Sequence, residues 1–126
     1  MIGGKEMRKK KLESVLLKNI RIKDDFWDRY IKLVKGVIIP YQWRTLNDEV
    51  PDAEPSHCIK NFRIAAGEKT GKFEGAVFQD TDVAKWLEAV AFTLASTGRD
   101  EELEKLADET IDLIGSEYLF YNSGTR

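Results

Sequence analysis

The sequence predicts an all-α chain with a short extended segment ahead of its first helix. Three apolar stripes carry that expectation. Phe26, Trp27, Tyr30, Ile31 and Val34 form the first, Val83, Trp86, Leu87, Val90, Ala91 and Leu94 the second, and Leu103, Leu106, Ala107, Thr110, Leu113 and Ile114 the third. Within each, apolar positions recur every three to four residues, which places them on one face of a helix with polar residues opposite. Each stripe also follows an aspartate suited to capping, at Asp24 or Asp25, Asp80, and Asp100.

Residues 1–11 carry no structural pattern beyond the basic run Arg8 to Lys11 and are expected to be a disordered leader, with Met7 as a second possible start. Val15, Leu17, Ile20 and Ile22 alternate imperfectly, the mark of a short extended segment ending near Lys23. Asp24 or Asp25 then opens the first helix. Gly36 weakens it, and Pro40 is expected to break or kink it, because proline removes a donor and clashes with the preceding turn. A second short helix fits Gln42 to Asn47. Two prolines and four acids between Asp48 and Pro55 read as a surface loop.

A third helix starts at Ser56 or the turn before it, with Ile59, Phe62, Ile64 and Ala65 on its apolar side, and ends near Gly67. Three glycines mark residues 67–76 as a loop. The main helix is expected over about 82–96, capped by Asp80 or Thr81, with Asp82 suiting the positive end of its dipole. Gly98 closes it, Asp100 caps the last helix, and Gly115 should end that one. The two final helices form an αα-hairpin that must lay its stripe on something. No repeat of 20–50 residues is visible, so periodicity alone suggests no toroid.

Composition narrows the function classes. The chain has 126 residues, 42% apolar and 33% charged, with net charge −2. That describes one globular domain with no electrostatic case for nucleic acid or an acidic membrane. No run approaches the ~20 apolar residues of a membrane span, and Val15-Leu16-Leu17 stops at Lys18, short of an export signal. Cytoplasmic residence is the expectation. One cysteine, Cys58, excludes an internal disulfide and a thiolate zinc site built within this chain. Gly71 and Gly75 have no nucleotide-loop spacing.

The candidate chemistry gathers at the start of the main helix. Gln79, Asp80 and Asp82 are a polar cluster suited to sugar hydroxyls, although capping also accounts for the acids. Carboxylates two apart on a helix diverge, so no acid–base pair is assigned. Trp43 and Phe78 are the rings backed for an apolar platform, each beside a glutamine, while Tyr41 and Trp86 read more simply as core. Asn47-Asp48-Glu49 is a further polar candidate or a solvated loop start. His57 and Cys58 are neighbours about 100° apart on a helix, a poor geometry for a nucleophile pair. Cys58 reads as a semi-buried hydrophobe and His57 as an ordinary surface or helix-start residue.

One string ties these features together. Gly75 to Ala89, with Ile39-Pro40-Tyr41-Gln42-Trp43-Arg44-Thr45-Leu46-Asn47-Asp48-Glu49, Asn61 to Glu68 and Phe73-Glu74-Gly75 in the same order, resembles the N-terminal part of glycoside hydrolase family 127, the β-L-arabinofuranosidases. The resemblance runs from about Ile20 to Gly115 and implies the opening helices of an (α/α)6 barrel in a retaining exo-glycosidase. It also implies a zinc-bound cysteine nucleophile and a glutamate acid/base in the complete domain, all beyond the matched region. No catalytic or metal-binding residue is therefore carried onto this chain. Residues 12–115 are expected to be the N-terminal piece of that domain, and 116–126 a divergent tail pointing to a truncated or frame-disrupted gene. Such a piece should be inactive alone, should meet a carbohydrate only when completed, and should self-associate through apolar faces such as those of Trp86 and Phe92. The alternative is a non-catalytic helical interaction domain.

Overall fold

The computed structural model describes residues 12–122, with side chains to Ser116. The expected leader, 1–11, and the last four residues of the expected tail lie outside that range. Five α-helices follow one another: α1 (Asp25–Leu33), α2 (Ile39–Leu46), α3 (Cys58–Ala65), α4 (Asp80–Thr97) and α5 (Glu101–Asn122). Among the described residues there is no strand, and no helix is long and apolar enough to cross a membrane.

The segment before α1 is extended at Leu16 and Ile20, but a single 3-10 turn, Leu17–Asn19, interrupts it. Asp24 starts α1 as the sequence indicates, its carboxylate accepting from the Phe26 and Trp27 N–H groups at 2.9 and 3.1 Å. Of the break or kink expected at Pro40, the break is absent, since the backbone stays helical through Ile38 and Ile39. One wider π turn, Val34–Ile38, joins α1 to α2, and Pro40 stands in the first turn of α2. The wider turn relaxes the backbone where the proline ring would meet the Gly36 carbonyl, so the helical run passes the proline.

The core forms where α2, α3, α4 and α5 meet. Ile39 and Leu46 from α2, Cys58 and Ile59 from α3, Val83, Trp86 and Val90 from α4, and Leu103 and Leu113 from α5 are all buried. Trp86 is 2% exposed, against the expectation that its face lacks a partner. Its ring lies 4.6 Å from that of Trp43, and its indole N–H donates to the Ile39 carbonyl at 3.1 Å. A buried tryptophan needs just such an apolar neighbour and an acceptor. Phe92 is 52% exposed, as expected.

Several boundaries move, α2 among them, which begins at Ile39 rather than the expected Gln42. Helix α5 passes through Gly115 to Asn122, because one glycine costs only about 1 kcal/mol relative to alanine and the flanking residues favour helix. Helix α4 begins two residues earlier than expected, after a tight turn in which the Gln79 N–H donates to the Ala76 carbonyl at 3.1 Å. Its end is as expected: Gly98, at φ 90, donates to the Leu94 carbonyl at 3.0 Å. Asp100 then caps α5 through the Leu103 N–H at 3.2 Å.

Candidate functional site

An open groove of about 840 Å³ runs between α2, the loop before α3, and the first two turns of α4. Helix α2 contributes Tyr41, Gln42, Thr45 and Leu46, the loop contributes Glu54, Pro55, Ser56 and His57, and α4 contributes Gln79, Asp82, Lys85, Trp86 and Ala89. Gly75 and Ala76 close one end. Rings beside amides, hydroxyls and a few charges suit a ligand with both hydroxyl groups and C–H faces.

The structure divides the residues singled out from sequence. Gln79 and Asp82 line the groove. Asp82 is exposed and pairs with Lys85 at 3.0 Å. Gln79 folds back so that its Oε1 accepts the Ala76 N–H at 2.9 Å, which leaves its amide N–H groups for other partners. Gly75 has φ 89 and takes no Cβ, since one would collide with that same amide. Asp80, Phe78 and Trp43 are not among the lining residues. Asp80 is exposed, and its carboxylate accepts the Thr81 N–H at 2.8 Å rather than a donor deeper in the first turn. It is therefore not the cap expected of it; the backbone turn through Phe78 and Gln79 does that work. Phe78 stands 68% exposed away from the groove. Trp43 is half-buried behind it, stacked on the wall residue Trp86.

The loop before α3 shows what sequence reasoning underrated. Asp48, Asp52 and His57 all take left-handed backbone, with φ of 60, 62 and 58. Non-glycine residues pay for that conformation, and such strain clusters at functional sites. Asp48 Oδ1 accepts from the N–H groups of Ser56 and His57 at 2.6 and 2.9 Å, tying the loop's two ends. His57 Nδ1 is buried without a hydrogen-bond partner and lies 3.6 Å from Asp48 Oδ2. The nine-residue separation of these two hides their contact from any local pattern.

Behind the groove, Asn61 is buried and holds the glycine-rich loop by both ends of its amide, donating to the Glu74 carbonyl at 2.8 Å and accepting its N–H at 3.2 Å. Lys60 pairs with the Glu74 side chain, which holds that carboxyl below its usual range. Cys58 is 2% exposed, and its thiol donates to the Gln79 carbonyl at 2.9 Å. Burial pushes that thiol above its ordinary pKa, opposite to what a thiolate ligand or nucleophile requires. The described residues also bring together no three metal-ligating side chains, so they do not fit a zinc ion.

Amides, hydroxyls and charged groups thus line the groove beside an exposed tyrosine. The catalytic-domain model of the GH127 β-L-arabinofuranosidases matches residues 19–116. The chain belongs to glycoside hydrolase family 127. A non-reducing end β-L-arabinofuranosidase from Bifidobacterium longum subsp. longum is 42% identical, over 76% of this chain and 16% of the relative. The crystal structure of a GH127 β-L-arabinofuranosidase from Geobacillus stearothermophilus T6 superposes with a TM-score of 0.76 at 63% identity, covering 79% of this chain and 15% of that one. The chain therefore spans about one sixth of its relatives' length. Its helices are the opening helices of the family 127 (α/α)6 barrel, the fold class expected from sequence.

Proposed function

We propose that this chain supplies the first helices and one wall of the sugar pocket of a retaining family 127 glycosidase acting on β-L-arabinofuranosides or close relatives. The groove carries this reading: Gln42, Gln79 and Asp82 line it together with the exposed Tyr41 ring, within the matched region. Amides and hydroxyls can read sugar hydroxyls, while the half-exposed Tyr41 ring can cover a furanose C–H face. The chemistry lies elsewhere in this reading. One buried, hydrogen-bonded cysteine cannot make a thiolate zinc site, so nucleophile, zinc and acid/base belong to the remainder of a complete domain. Cytoplasmic residence is part of the same proposal.

The test is direct. The purified 126-residue chain should show no hydrolysis of an aryl β-L-arabinofuranoside and should bind no stoichiometric zinc. Turnover above background that disappears with Cys58→Ala would place the nucleophile in this chain and overturn the reading.

A further inference from the structure

The groove contains one buried polar atom that the fold leaves unsatisfied. His57 Nδ1 has no hydrogen-bond partner, and Asp48 Oδ2 lies 3.6 Å from it. Asp48 is not free to wander, because its other oxygen is clamped by the Ser56 and His57 N–H groups. Both residues pay for left-handed backbone to meet there. An ionised carboxylate only accepts hydrogen bonds, so an Nδ1 lone pair aimed at it would set acceptor against acceptor. The contact is favourable only when Nδ1 carries the proton, and it needs a tightening of about 0.6 Å to reach hydrogen-bond distance. The partner of Nδ1 decides which ring nitrogen keeps its lone pair.

We propose that Asp48 is a positioning residue: it holds His57 in the Nδ1–H form, so that Nε2 presents a fixed acceptor to a sugar hydroxyl in the groove. This rests on the sugar-wall reading above and adds a direction to one of its hydrogen bonds. Among the described residues Nε2 has no protein partner, while His57 lines the groove. Gln79 Oε1 is already engaged by the Ala76 N–H, which leaves the two amide N–H donors as the groups it most readily offers there. A hydroxyl that donates to His57 and accepts from a glutamine amide uses both of its capacities, which is how a polyol is read.

The chain has a single histidine, so its ring nitrogens can be assigned without ambiguity in a long-range ¹H–¹⁵N correlation spectrum. With the ring neutral, the wild-type chain should show Nδ1 protonated and Nε2 bare. Asp48→Asn keeps an oxygen for the two N–H groups and suits left-handed backbone, but turns an NH2 toward Nδ1. It should invert the ring to Nε2–H. One wall holds a sugar only weakly, so methyl β-L-arabinofuranoside is titrated to high concentration, where it should shift the wild-type Nε2 resonance and should bind the variant roughly tenfold more weakly, the loss of one net hydrogen bond. A wild-type ring in the Nε2–H form, or averaging between forms, overturns the proposal whether or not the variant folds. An Nδ1–H ring that ignores sugar while the Gln42 and Gln79 amides move overturns the role of His57 and spares the wall. No response anywhere in the groove overturns the sugar reading, and the ligand assigned here with it.

Discussion

Helices α1 and α4 are written in the same code and meet opposite fates. Each starts after an acidic or amide residue and carries aromatic and aliphatic residues at helical spacing. On α4 the stripe is covered, with Val83, Trp86 and Val90 all buried. On α1 no residue is buried, and Phe26, Trp27 and Tyr30 remain 55%, 54% and 39% exposed. Those three rings lean on one another instead, with Phe26 4.9 Å from Tyr30 and 5.2 Å edge-on to Trp27. An apolar stripe therefore states that a face needs a partner, but not where the partner is. For α4 it is within the chain. For α1, in a chain that spans 15% of a related enzyme, the remaining barrel is the proposed cover.

The largest expected effect tests that contrast with the same substitution on each helix. Trp86→Ala removes a buried ring, its stack on Trp43 and its bond to Ile39, and should cost about 3–5 kcal/mol in urea unfolding. Trp27→Ala should stay within about 0.5 kcal/mol, as exposed substitutions do. Equal losses would show that α1 packs in solution as tightly as α4. The exposed rings should also drive self-association, so Trp27→Glu should lower the apparent mass at high concentration in a sedimentation series. An unchanged mass would remove that face from the association.

A smaller effect separates the two helix starts. Asp24 accepts from the N–H groups two and three residues on, so Asp24→Ala should cost about 1 kcal/mol and Asp24→Asn almost nothing. Asp80 accepts only from its neighbour Thr81, whose N–H already points at the Phe78 carbonyl at 3.2 Å. Asp80→Ala should thus cost clearly less than Asp24→Ala in thermal unfolding. A matching loss would restore Asp80 as a cap.

Much of the fold was legible because it is local. The stripes, the Asp24 and Asp100 caps, the Gly98 stop and the loop over 48–55 follow from neighbours within one or two turns. Pro40 misled because the remedy, a π turn four residues upstream, leaves no compositional mark. The site was half legible for the same reason. Gln79 and Asp82 could be found from their place at a helix start. Phe78 and Trp43 failed as groove rings because sequence gives a residue's neighbours but not which side of the wall it stands on. Glu54, Ser56 and His57 reach the groove through a loop tied by Asp48, and only the folded chain shows that contact.

The smallest effect concerns the thiol buried under the groove, on the covered side of the α1–α4 contrast. Cys58 keeps its proton more tightly when folded, first because burial penalises the thiolate and also because Asp82, Asp48 and Asp80 repel it. In the unfolded chain the thiol ionises near the ordinary value of about 8.5. Above that pH the unfolded state holds fewer protons than the folded one, so stability should be full below it and fall as pH rises toward the folded pKa. Lysines and tyrosines titrate nearby, so the quantity to measure is the difference between wild type and Cys58→Ala over about pH 7.5–10. The variant lacks the thiol and should start less stable yet lose less as pH rises. Parallel curves would show that the thiol ionises as easily folded as unfolded, and that the floor of the groove is open to water.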